Sequence, residues 1–212
     1  LTVKILRMKR ISMLLVTVLI CMVASAQITW NVKTGAGLAT VVGADEGVEG
    51  KFGWKIGVGI EKPISADWLI MPSLEFKQKG TKVPPYDEGD YSEDADLSLT
   101  YLQLPILGAW RTRLNSELNM TLKAGPYFAY ALSGKIKNTG SDGYSDEWDP
   151  FDDEVEGWKR FDGGVLLGID LEYHRIVAGV EFEYGILPLC KDEEFDLTMR
   201  NMSLYVTLGY KF

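Results

Sequence analysis

The last twelve residues constrain the fold most. Across Asn201–Phe212, Met202, Leu204, Val206, Leu208, Tyr210 and Phe212 are large and apolar, and the residues between them are small, polar or charged except for Tyr205. Side chains on a β-strand point alternately to its two faces. This stretch therefore reads as a strand with one apolar and one polar side. An aromatic residue at the end of such a strand is expected where a transmembrane β-barrel meets the membrane boundary. The expected fold class is all-β, an eight-stranded antiparallel up-and-down transmembrane β-barrel.

Seven more segments alternate in the same way, at about 29–39, 53–61, 68–79, 99–111, 121–135, 162–173 and 176–185. Lys33, Lys55, Glu61, Glu75, Lys77, Lys79, Arg111, Lys123, Lys135, Asp162, Asp170, Glu172, Glu181, Glu183 and Lys211 all share the phase opposite the apolar residues. A Lys or Arg facing lipid at mid-membrane costs roughly 2–4 kcal/mol, so a membrane barrel keeps charge off its outer face. A soluble barrel with apolar residues inward has the same period. Period alone does not separate the two.

The connections separate them better. Short turns near 63–67, 112–119 and 174–175 alternate strictly with long polar connections at 40–52, 81–98, 136–161 and 186–200. Outer-membrane barrels pair short periplasmic turns with long external loops in this way. The alternation places both termini in the periplasm.

Residues 1–26 are expected to be a cleaved signal peptide, and 27–212 the barrel domain. Lys4, Arg7, Lys9 and Arg10 precede an apolar run from Ile11 to Val23, and Ala24-Ser25-Ala26 supplies the small residues of a cleavage site. Ile20 stands before Cys21 where a lipidation site requires a small residue. The leader holds four of the 22 basic residues and no acidic one, which leaves 18 basic against 30 acidic residues and speaks against a nucleic-acid partner. Cys190 is then the one remaining cysteine, so no intramolecular disulfide is expected. No later segment reaches the roughly 18 apolar residues of a membrane helix.

Four motifs occur in order: Tyr101-Leu102-Gln103-Leu104-Pro105-Ile106-Leu107, Ala124-Gly125-Pro126-Tyr127, Phe161-Asp162-Gly163-Gly164 and Gly209-Tyr210-Lys211-Phe212. Together they resemble the PorT-like outer-membrane β-barrel family, small barrels of the OmpX/OmpA kind in Gram-negative bacteria. The resemblance implies an eight-stranded barrel in the outer membrane. It implies no site, because the shared residues are strand residues.

An eight-stranded barrel is just wide enough for side chains to fill, so inward charges of both signs are expected to form a salt-bridged plug. Inward glycines such as Gly57, Gly59 and Gly125 are expected to make room for long neighbours or to bend the sheet. The four long connections hold 21 of the 30 acidic residues and 7 basic ones. Their expected role is a solvated acidic surface with a protein or glycan partner, for which Tyr144, Trp148, Phe151 and Trp158 supply contacts. Asp142, Asp146, Asp149, Asp152 and Asp153 are candidate calcium ligands by chemistry, although their spacing does not match a 12-residue calcium loop. No cofactor and no catalytic residue is expected. An outer-membrane hydrolase would need a base beside a nucleophile or water, and His174, the sole histidine, sits in a short turn. Acid-pair chemistry would draw on Glu75, Asp170, Glu172, Glu181 and Glu183. The reading is a non-enzymatic outer-membrane barrel with a structural or surface-interaction role. The alternatives are an accessory part of a secretion or envelope assembly, and a hydrolase.

Overall fold

A computed structural model describes residues 28–43, 48–83, 93–140, 145–152, 158–192 and 197–212. The proposed leader, residues 1–26, lies outside them. Among the described residues the chain forms ten strands and no helix: β1 (Thr29–Val42), β2 (Glu49–Pro63), β3 (Trp68–Val83), β4 (Glu93–Arg113), β5 (Leu118–Gly140), β6 (Ser145–Trp148), β7 (Phe161–Tyr173), β8 (Ile176–Gly185), β9 (Cys190–Asp192) and β10 (Leu197–Lys211). Eight long strands pair antiparallel with their sequence neighbours, and β1 pairs with β10 from Asn31↔Lys211 to Val42↔Arg200. That last pairing closes the sheet and removes its two edges. The short strands are additions, β6 on the edge of β5 and β9 on β10.

The burial pattern decides between the two barrels that share the period. Along β2, Trp54, Ile56 and Val58 are exposed and Lys55 is 2% exposed. Along β10, Leu204, Val206 and Leu208 are exposed, Val206 at 65%, while Ser203, Tyr205 and Thr207 are buried. The barrel is apolar outside and polar inside, the inverse of a soluble one. No helix among the described residues is long and apolar enough to cross a membrane.

Aromatic residues mark the limits of the apolar band. Trp30, Trp68, Trp110, Tyr173, Tyr210 and Phe212 stand at the short-turn end, with Trp68 opposite Trp110. Phe52, Tyr130 and Phe161 stand exposed toward the other end. Along β7, Phe161 and Tyr173 are separated by about 40 Å of strand at ~3.4 Å per residue. Tilted by ~45°, that covers about 29 Å of membrane normal, close to the thickness of a hydrocarbon core.

The three short turns fall where the sequence puts them. His174 takes φ 56° in the two-residue hairpin between β7 and β8, the left-handed conformation that such tight hairpins demand. At the other end the strands outgrow their expected lengths. A transmembrane strand needs ~9–11 residues, whereas β4 has 21 and β5 has 23. Both continue well past the membrane.

One expectation about facing fails, with a clear cause. Lys135 shares the inward phase in the sequence, yet it lies exposed and pairs with Glu147 at 2.7 Å. Thr100 opposes Ser133 but Tyr101 opposes Ala131, so Leu132 is an extra residue in β5. A single-residue bulge switches every later side chain to the other face. Lys135 turns out and Ile136 turns in.

Candidate functional site

The lumen is built from long side chains that inward-facing positions aim at one another. Lys33 comes from β1, Lys55 and Glu61 from β2, Glu75, Lys77 and Lys79 from β3, Arg111 from β4, Lys123 from β5, Asp162, Asp170 and Glu172 from β7, Glu181 and Glu183 from β8, and Lys211 from β10. These are seven cations and seven carboxylates, so the lumen is formally neutral. They form two groups along the axis.

The group nearer the short turns is Glu61, Arg111, Glu172 and Lys211. Arg111 Nη2 donates to Glu61 at 2.5 Å, and Lys211 Nζ donates to Glu61 and Glu172 at 3.0 and 2.6 Å. The larger group centres on Glu181. It accepts from Lys33 at 2.8 Å and Lys123 at 2.6 Å, and also from Lys55. Lys123 also reaches Asp170 at 2.5 Å, and Lys55 reaches Glu75 at 3.1 Å. Higher up, Glu183 accepts from Lys77, from Gln103 at 3.0 Å and lies 3.1 Å from Lys79. Lys79 continues to Asp162 at 3.4 Å and stands 4.5 Å from the Tyr127 ring centre.

A buried charge is tolerable only when paired and hydrogen-bonded, and each of these charges has such a partner. The arrangement fills the bore with cross-linked side chains. Glycine supports it where space runs out. A Cβ on Gly57 would sit 2.7 Å from the Leu74 carbonyl oxygen and 2.8 Å from Glu75 Cγ, so this glycine serves both a close approach of backbones and a long neighbour. At Gly125 the Cβ would meet the Ile106 carbonyl oxygen at 2.3 Å, a close approach of backbones alone.

Glu75, Glu181 and Glu183 are the one trio of acids that the described residues bring within metal-holding distance. Lysine ammonium groups already occupy all three. The same pairing answers the acid-pair candidates. Glu75, Asp170, Glu172, Glu181 and Glu183 each face a Lys or Arg inside the barrel, an arrangement that neutralises them. His174 stands at the short-turn end with its ring edge-on to Tyr173 at 4.3 Å, opposite the end that carries the long connections.

At the long-connection end the lumen changes character. Val41, Leu97, Leu99 and Ile136 point inward and are buried. From the third connection, Pro150 and Phe151 settle over Gly134, and Arg160 lies 4.7 Å above the Phe151 ring and donates to the Phe151 carbonyl. Trp148 and Trp158 pack against the same cluster. Thus Trp148, Phe151 and Trp158, read from the sequence as contacts for a partner, pack partly or wholly inward, and Tyr144 lies outside the described residues. Of the calcium candidates, Asp146 and Asp149 are exposed and accept main-chain hydrogen bonds from Glu147 and Phe151, both at 2.9 Å. Asp152 is exposed in the turn that follows. Asp142 and Asp153 lie outside the described residues. Sequence reasoning put Gln103 and Tyr205 on the polar face but did not single out Tyr101 and Tyr127 as lumen residues; their only signal is the inward phase they share with the charges.

A family model described as outer membrane protein beta-barrel domain matches residues 25–191. Several solved barrels resemble the fold at low identity. Ail, the attachment invasion locus protein of Yersinia pestis, solved with the heparin analogue sucrose octasulfate, is 16% identical, with TM-score 0.43 over 88% of this chain and 99% of that one. Neisserial surface protein A is 14% identical, with TM-score 0.48 over 86% and 97%. OprG from Pseudomonas aeruginosa is 12% identical, with TM-score 0.43 over 86% and 95%. No curated protein matches the chain by sequence.

Proposed function

Because this chain belongs to the outer membrane protein β-barrel domain family, we propose that it is a closed, non-enzymatic barrel whose work is done outside the membrane. The observation that carries this reading is the division of the molecule. The bore is filled by seven paired cations and seven paired carboxylates, while β4 and β5 continue as strands well past the membrane. The long acidic connections on that side are the part left to meet a protein or glycan partner. In this reading residues 1–26 are a cleaved leader, both termini are periplasmic, and the PorT-like kinship suggested by the four motifs extends to this chain.

Two measurements test the proposal together. Reconstituted in planar bilayers, the protein is expected to give no stepwise conductance. Cells in which residues 141–157 are excised are expected to lose surface binding of a purified protein or glycan probe, while the barrel keeps its heat-dependent gel shift. Ion-conducting steps from the native protein, or surface binding unchanged by the excision, would contradict it. An accessory role in a secretion assembly would instead appear as a co-purifying envelope complex that survives the excision.

A further inference from the structure

The mouth of the barrel contains a pocket that neither the plug nor the acidic surface explains. It has a volume of about 160 Å³ and an almost wholly apolar lining. One wall is the extended part of β4 and β5, where Ala95 and Leu97 of β4 stand beside Ile136 of β5. The other wall is Val41 of β1 and Met199 of β10, and Val48 and Trp158 complete it from the first and third connections. Ile136 is there because of the extra residue at Leu132, which turns it inward. Thr81 and Trp158 carry the polar side-chain groups of the lining, and the Thr81 hydroxyl already donates to the Glu49 carbonyl at 2.9 Å.

We infer that this pocket binds a small, uncharged apolar molecule, aromatic or short-chain aliphatic, of about six to ten carbon atoms. Three observations carry the inference. The volume is close to that of the cavities of about 150 Å³ in proteins that take up benzene or xenon. The exposed lining is almost wholly apolar, so water gains little there and a polar ligand would lose its own hydration with little recompense. Six of the eight lining residues stand on strands of the closed barrel, which cannot easily collapse into the space, so filling it with apolar atoms is favourable. Below it, Leu99 and Tyr101 are fully buried and the ionic plug begins at Lys79 and Asp162. The ligand therefore enters from outside and stops at the mouth.

The test uses benzene as the probe and the folded protein in lipid nanodiscs, with methionine methyl groups labelled. Met202 lies on the outward face of the same strand and reports benzene dissolved in lipid. The Met199 methyl signal is expected to shift saturably, while that of Met202 shifts only in proportion to added benzene. Filling the pocket by Ala95→Leu, or independently by Val48→Phe, should abolish the saturable part in a protein that keeps its heat-dependent gel shift. A Met199 response that merely follows Met202, or a saturable one that persists in the filled variants, would overturn the inference. Xenon-pressurised crystals of the native protein need no variant: density between Leu97 and Met199 is expected, and its absence there would overturn the inference too.

Discussion

Glu181 is the position at which the plug can be tested most sharply. Glu181→Gln removes one negative charge from a side chain 1% exposed and leaves its volume nearly unchanged. Three ammonium groups then share what remains. Lys123 keeps Asp170 at 2.5 Å and Lys55 keeps Glu75 at 3.1 Å, but Lys33 retains only Asp170 at 3.9 Å. Removing one partner of a buried ion pair costs about 3–5 kcal/mol because an uncompensated charge stays behind. Two of the three lysines keep a partner, so the loss should fall near the lower end, about 3 kcal/mol. With a urea dependence of ~2 kcal/mol/M, the unfolding midpoint in lipid vesicles should drop by about 1.5 M. Adding Lys33→Met removes the stranded charge and should recover at least about 1 kcal/mol, a coupling that only interacting residues show. A loss below about 0.5 kcal/mol for Glu181→Gln, or a double variant as unstable as the sum of its parts, would refute the argument.

Three further outcomes are expected. Val206→Arg places a charge on the outward face near the middle of β10 and should cost about 2–4 kcal/mol in bilayers, measured by equilibrium unfolding; Val206→Leu should be neutral. Gly37→Ala should prevent closure, because its Cβ would stand 1.9 Å from the Leu204 carbonyl oxygen across the β1–β10 seam, and the readout is loss of the heat-dependent gel shift on refolding. Calcium at millimolar level is expected to leave the thermal midpoint unchanged, since the aspartate spacing matches no calcium loop; a saturable rise removed by Asp149→Asn would assign an ion to that turn.

The eight strands are legible in the sequence because lipid and lumen impose opposite demands on alternate residues. Trp54-Lys55-Ile56 and Leu204-Tyr205-Val206 state the facing directly. The plug is half legible: the phase of Lys123 and Glu181 says that they point inward, but which charges meet depends on strand stagger, which a single chain does not display. The mouth is not legible. Beyond the membrane the outer face meets water, so Leu97 and Leu99 turn inward where, lower down, Leu102 and Leu104 turn outward. The alternation persists while its meaning reverses. Lys135 is misread for a related reason: the bulge at Leu132 shifts the frame, and Gly134 two residues on is a local sign of it. Asp96, taken with its neighbours as loop acid, in fact lies on a strand that continues to Glu93.

The central claim is that the apolar face of these strands meets lipid and the charged face meets itself. Nitroxide scanning of β10 from Ser203 to Leu208, in a Cys190→Ser background reconstituted in phospholipid bilayers, tests it most directly. Oxygen accessibility is predicted to be high at positions 204, 206 and 208 and low at 203, 205 and 207, with a water-soluble nickel chelate excluded from all six. Ready access of the nickel chelate to positions 204, 206 and 208 would put water on the outer face and contradict the account.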